Sequence, residues 1–335
     1  MKRIVFFGSD EIALPCLEHI AGEADVEIVA AFSQPDRPSG RGKQVRANAV
    51  VEWARQRGLP VFQPQERPGE EAAATLRELG CDVALVMAYG HILRRELLET
   101  LPLGFFNIHG SLLPALRGAT PIEGAIVSGL AESGVCLQRV VSRLDAGAVL
   151  DAERVPLAPD ETRLSLREKM AAASVPLIAR VLPQIFSGDA AGVPQDETVA
   201  TFTRKITRED SAADFHATAR ELAARVRALS PWPGVTIPWG GIELKIGGAF
   251  EVENTGNIAS AALAVPGTIL QADGRGVCVA TGTGVLCLSH LQRPTAKMLP
   301  AAAFLAGMPL PIGSVFESRP MRALVAAAPF KNLDK

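Results

Sequence analysis

The chain of 335 residues has no run of about 18 apolar residues, the length a membrane-spanning helix requires. Its five cysteines (Cys16, Cys81, Cys136, Cys278 and Cys287) are scattered and odd in number, with no Cys-x-x-Cys and no histidine pair at ligand spacing. That pattern argues against a disulfide framework and a structural zinc, and for free buried thiols in a reducing cytoplasm. Charge of one sign is also missing. The 34 Lys and Arg against 36 Asp and Glu leave a net charge of −2, so no global field draws the chain to nucleic acid. A nucleic-acid partner must be met by a local basic patch. Internal repeats and low-complexity tracts are absent, alanine-rich patches aside. The opening Met-Lys-Arg-Ile-Val-Phe-Phe-Gly is apolar too briefly for a signal peptide and reads as a first strand. Gly8-Ser9-Asp10 after it lacks the full Gly-x-Gly-x-x-Gly of a dinucleotide site.

What is present fits two globular domains. In the first half, apolar runs at 3–7, 26–32, 82–87 and 105–108 alternate with helical patterns such as 47–57 and 69–79. This indicates a mostly parallel sheet wrapped on both faces. Strands are expected at 134–141 and 148–157, with Leu144-Asp145-Ala146-Gly147 as the turn between them and a long helix over 163–186. The last third changes character. A helix over 211–229 is expected to end at Ser230-Pro231-Trp232-Pro233-Gly234. Short strands at 235–239, 242–246, 267–271, 277–280 and 285–291 follow, with Gly240-Gly241 as a hairpin turn. These suggest a small closed barrel.

The segment Asn107-Ile108-His109 carries the most chemistry. Positions i and i+2 of a strand face one side, so Asn107 and His109 can aim at one small volume. An amide donor and an imidazole suit an enzyme that holds a carbonyl oxygen as it becomes negative. Asp145, if close, would orient the imidazole and help move a proton. Residue chemistry alone leaves the bland readings open, a packing histidine and a turn-forming aspartate. Ser111-Leu112-Leu113-Pro114 can form a stiff corner that walls a flat ligand, or an ordinary loop on core leucines. The loop at 33–43 carries Arg37, Arg41 and Lys43, with Arg46 beyond, and is either a phosphate-facing patch or a solvated loop.

On these residues the chain resembles the methionyl-tRNA formyltransferase family of the folate-dependent formyltransferases. The family's Asn, His and Asp fall on Asn107, His109 and Asp145, and its folate-side signature falls on Ser111 to Pro114. Tyr89 and Gly90, within Ala88-Tyr89-Gly90, and Arg117-Gly118 look like positions lining or supporting the site. Gln34 to Lys43 is similar to the family's basic loop, with Arg37, Arg41 and Lys43 as RNA contacts, and Gln195-Asp196-Glu197-Thr198 is similar to its linker. The resemblance implies a Rossmann-like α/β catalytic domain at 1–189, a linker at 190–208, an OB-like domain binding transfer RNA at 209–318, and a tail at 319–335. It implies formyl transfer from 10-formyltetrahydrofolate to methionyl-initiator tRNA, with no metal, in a cytoplasmic protein, monomeric and away from membranes. The alternatives are a formyltransferase acting on an amino-sugar nucleotide or purine precursor, and a non-catalytic RNA-binding protein.

Overall fold

The computed structural model describes residues 1–39, 44–253 and 263–331. The amino-terminal half runs β1 (Lys2–Gly8), α1 (Leu14–Ala21), β2 (Val26–Phe32), β3 (Arg37–Ser39), β4 (Gln44–Arg46), α2 (Ala49–Gln56), β5 (Val61–Phe62), α3 (Glu70–Glu78), β6 (Val83–Met87), α4 (Arg95–Leu98), β7 (Gly104–His109), β8 (Arg117–Gly118), α5 (Pro121–Val127), β9 (Glu132–Arg139), β10 (Val149–Pro156) and α6 (Arg163–Ser187). Seven strands form one sheet in the order β10-β9-β7-β6-β1-β2-β5. The five from β7 to β5 are parallel, and β9 and β10 add antiparallel at one edge. Along β1, Ile4 and Phe6 pack with α1 and α6, whereas Val5 and Phe7 pack with α3 and α4 on the other face. A sheet covered on both sides needs such unbroken apolar strands. The order reverses between β1 and β6, so the crevice past their carboxyl ends is where such a fold receives ligands.

Helix α6 is long and apolar enough by composition to span a membrane, but half of its most apolar stretch is buried in the protein. Leu166, Met170, Leu177, Val181 and Ile185 belong to the core of the sheet domain.

The carboxyl-terminal part runs β11 (Phe202–Thr203), α7 (Ala219–Leu229), β12 (Val235–Trp239), β13 (Ile242–Glu251), β14 (Ile269–Asp273), β15 (Gly276–Ala280), β16 (Val285–Gln292), β17 (Leu299–Pro300), α8 (Ala301–Gly307) and β18 (Val325–Ala326). An antiparallel sheet of order β12-β13-β16-β15-β14, with β17 on β16, wraps a separate core that includes Phe215, Ile237, Leu244, Val279, Leu288 and Phe316. Gly240 and Gly241, at φ 54° and 81°, form the expected turn between β12 and β13. Among the described residues no ladder joins β12 to β14. Single bridges instead extend each edge, Ala212 to Thr236 and Thr268 to Val315.

Three expectations need correction. The helix expected over 211–229 begins only at Ala219. Phe215 is driven into the barrel core, and Thr218 with Glu221 forms a capping box that starts the helix afresh. The segment expected as a tail from 319 includes packed residues. Leu324 is buried, and β18 pairs with β11, which pairs with β8 in a three-stranded sheet. Nor is 190–208 a bare linker, because it supplies β11 and a bridge from Val193 to Val149.

Candidate active site

Strand β7 ends beside β9, with Asn107 opposite Gln138 and His109 opposite Cys136. Paired residues share a face, so Asn107, His109 and Gln138 point to one side of the sheet. The Asn107 carboxamide is half-buried and has no hydrogen bond to any described residue. His109 is buried. Its Nε2 lies 3.1 Å from the Leu116 carbonyl, and its Nδ1 lies 3.7 Å from Asp145 Oδ2. A carbonyl only accepts, so Nε2 carries a proton, and Nδ1 is the nitrogen left to face Asp145 and the crevice. Both neighbours of the ring are acceptors. The ring can serve both at once only as an imidazolium. Beneath it, burial pushes the Cys136 thiol up to about 12, so this sulfur stays protonated and inert.

Asp145 sits in the turn between β9 and β10, as expected from the sequence. Its Oδ2 accepts from the Gly118 N–H at 2.8 Å and its Oδ1 from Gln138 Nε2 at 2.9 Å. Four described non-glycine residues have left-handed backbones: Ala88 (φ 51°), Leu116 (60°), Asp145 (46°) and Thr295 (63°). The first three flank this site. Such conformations cost about 1–3 kcal/mol each and collect where function demands a fixed geometry. Gly118 is required as glycine. At φ 111° a Cβ would also lie 2.3 Å from the Thr203 carbonyl oxygen of β11.

The corner Ser111 to Pro114 folds over β9. A Cβ on Gly134 would meet Leu112 Cδ2 at 2.7 Å, so the leucine sits directly on the strand. Leu113 and Pro114 remain partly exposed. Ser111 is fully buried, and its hydroxyl donates to the Ala115 carbonyl at 2.6 Å, so it shapes the corner and turns no hydroxyl outward. Gly90 follows β6, and its backbone runs close to Gln34 Nε2, 2.5 Å from where a Cβ would be. Tyr89 departs from expectation. Its ring is 2% exposed and packs edge-on to Phe7 at 5.3 Å, so it belongs to the core and presents only main chain to the crevice.

The basic loop is partly visible. Strands β3 and β4 pair antiparallel and set Arg37 opposite Arg46, both exposed and neither in an ion pair with a described residue. Arg41 and Lys43 lie outside the described residues. Near these strands, burial and then the charges of Arg37, Lys205 and Arg67 hold the His91 imidazole below its usual value. A focus of positive charge therefore stands at the rim.

Arg117 and Gly118, expected to support the site, do so beneath Asp145, but the part played by Gln195 and Glu197 was missed in the sequence. Arg117, 1% exposed, donates to Gln195 Oε1 and to Glu197, and Gln195 reaches the turn that carries Asp145. The Arg117 guanidinium, with help from Arg143, holds the Glu197 carboxyl down at about 2. The signal for Gln195 and Glu197 was the polar Gln195-Asp196-Glu197-Thr198, which the resemblance assigned to a linker and whose partners lie far away in the chain.

A formyl transferase family model matches residues 2–182, and a formyl transferase carboxyl-terminal domain model matches residues 205–309. The methionyl-tRNA formyltransferase of Burkholderia thailandensis is 40% identical over 323 residues, covering 94% of this chain and 96% of its own. Those of Symbiobacterium thermophilum (38% over 317 residues; 94% and 95%) and Roseiflexus castenholzii (40% over 308 residues; 92% and 96%) match similarly. The chain belongs to the methionyl-tRNA formyltransferase family. More distant structures share its fold. A Helicobacter canadensis N-formyltransferase, in complex with folinic acid and dTDP-3-aminofucose, gives a TM-score of 0.64 at 16% identity over 88% of this chain and 100% of its own. HypX from Aquifex aeolicus with tetrahydrofolic acid gives 0.58 at 17% identity, covering 95% of this chain and 51% of its own. Family membership thus extends across both domains, and the α/β catalytic half precedes the antiparallel one as the sequence suggested.

Proposed function

We propose that this protein transfers the formyl group of 10-formyltetrahydrofolate to the α-amine of methionine on initiator tRNA. The observation that carries the reading is the convergence of Asn107, His109 and Asp145 at the carboxyl edge of the sheet, in a chain that matches that family over 94% of its length. The neutral amine nitrogen attacks the formyl carbon. The carbonyl oxygen becomes an oxyanion, held by the unengaged Asn107 amide. In its doubly protonated form His109 adds an Nδ1–H to the oxyanion, its Nε2–H being committed to Leu116. The bond from the formyl carbon to N10 then breaks. One proton leaves the amine toward Asp145, directly or through water, and one reaches N10 from the His109 side, so atoms and charge balance. Each proton transfer is worth about 10²–10⁴ in rate.

The corner Leu112 to Pro114 and the backbone at Gly90 form the folate-side wall in this proposal, with Ser111 holding the corner in shape. Arg37, Arg41 and Lys43 meet the phosphates of the acceptor end. The facing of Arg37 and Arg46 supports this, because like charges opposite one another on paired strands are unfavourable until an anion arrives. No metal has a role, since hydrogen bonds meet the oxyanion. The free buried thiols accord with a cytoplasmic setting, and a monomer without a membrane partner completes the reading.

The test is direct. The purified chain is incubated with 10-formyltetrahydrofolate and charged initiator or elongator Met-tRNA, and N-formylmethionine is measured. Formylation of the initiator is expected. Formylation of an amino-sugar nucleotide with none of Met-tRNA would overturn the acceptor, and RNA binding without any turnover would overturn the enzyme.

A further inference from the structure

We propose that Gln195 is a positioning residue for the catalytic carboxylate, and that the buried guanidinium of Arg117 sets its direction. The inference rests on the role given to Asp145 above. Arg117 Nε and Nη2 donate to Gln195 Oε1 at 3.0 and 2.8 Å. An arginine has no acceptor, so this contact fixes which end of the Gln195 amide is oxygen. The nitrogen end must then face the opposite way. There it donates to the Asp145 carbonyl at 2.8 Å and the Gly147 carbonyl at 2.7 Å, spanning the turn with one group. It also approaches Gln138 Oε1 at 3.4 Å. With its oxygen drawn toward Gln195, Gln138 presents its nitrogen to Asp145 Oδ1 at 2.9 Å.

A polarity thus runs from a buried cation through two amides to the carboxylate. The end points are not free to adjust. Glu197 grips Arg117 through two contacts of 3.0 Å, and Arg143 grips Glu197 at 2.7 Å. At Gly147 a Cβ would fall 1.7 Å from the Arg139 carbonyl oxygen, so the turn is already closed against β9. Asp145 holds a left-handed backbone that an unsupported turn would relax. The residue between the two domains therefore determines where the carboxylate stands relative to Nδ1 of His109.

Gln195→Met removes the donors and the acceptor without adding charge, and leaves Arg117 its pairing with Glu197. Gln195→Glu keeps an acceptor for Arg117 but sets oxygen against the two turn carbonyls. It also turns Gln138 so that oxygen faces Asp145. Single-turnover formylation of Met-tRNA at saturating substrates is measured with KM for both substrates. For Gln195→Met a fall in kcat of about 10-fold or more is expected, with either KM changed by less than about 2-fold. Gln195→Glu is expected to fall further. The decisive comparison adds Gln195→Met to Asp145→Asn, where its effect should shrink below about 2-fold, because a residue acting through Asp145 has nothing left to position. Unchanged kcat in Gln195→Met, a loss confined to KM, or an equal loss in the Asp145→Asn background would each overturn the proposal. Full activity in Asp145→Asn alone would instead overturn the role of Asp145 itself.

Discussion

Replacing Asn107 with alanine separates chemistry from folding at this site. Its carboxamide is half-buried and bonded to no described residue, so truncation strands no partner. Stability should change by only about 0.5 kcal/mol, as for substitutions that touch no special feature. The barrier should rise by about 2.7–4 kcal/mol, the usual cost of one oxyanion donor, or 10²–10³ in kcat. His109→Ala differs. It leaves the Leu116 carbonyl without its partner at 3.1 Å, a loss of about 1–3 kcal/mol in stability. Asp145→Ala strands two donors, Gly118 N–H and Gln138 Nε2, and should cost more still. The three variants are therefore expected to lose turnover together but to melt in the order Asp145→Ala, His109→Ala, Asn107→Ala, the last near wild type. Single-turnover formylation of Met-tRNA beside thermal melts provides the measurement. An Asn107→Ala protein within about threefold of wild-type turnover would refute the oxyanion assignment. One that melts as early as Asp145→Ala would refute the claim that the amide is unengaged.

Gly118→Ala combines a forbidden backbone with a Cβ 2.3 Å from the Thr203 oxygen, so a loss of at least about 2 kcal/mol in chemical denaturation is expected, and wild-type stability would contradict it. The Glu197 carboxyl is held at about 2 in the fold against an ordinary 4.5. A depressed carboxylate stabilises above its unfolded value and gives that stability up as pH falls. Between pH 4.5 and about 2 the wild type should thus lose melting temperature more steeply than Glu197→Gln, and parallel curves would show that the ion pair contributes nothing. Replacing Arg37 and Arg46 together with alanine should raise KM for Met-tRNA, leave that for 10-formyltetrahydrofolate unchanged, and flatten the salt dependence by about one to two phosphate contacts. An unaltered salt slope would mean that this strand pair is inert.

Much of the sheet domain was legible because its parallel strands are mostly apolar runs separated by helices, and β1, β2, β6 and β7 lie within a residue or two of where those runs fall. The pairing of Asn107 with His109 was legible for the same reason, since a strand period of two fixes their common face. What escaped notice has no local period. Strands β8, β11 and β18 are two residues each, and only their pairing across more than 80 residues makes them strands. Phe215 sits in a polar stretch that continues a helical pattern, and the cap at Thr218 was hidden by it. Tyr89 was expected at the site only through the family resemblance, yet the left-handed Ala88 before it turns the ring back among Phe7 and Phe105. Gln195 and Arg117 are 78 residues apart, and no spacing rule connects them.

The small sheet of β8, β11 and β18 gathers residues 118, 203 and 325 into neighbouring rows. Translation delivers those rows in that order, and the first of them donates the Gly118 N–H to Asp145. The pocket consequently acquires its outermost brace only once Val325 has been synthesised, although the catalytic half was finished long before. A chain cut before β18 would leave the β11 edge unpaired, one row from the strand that holds Gly118.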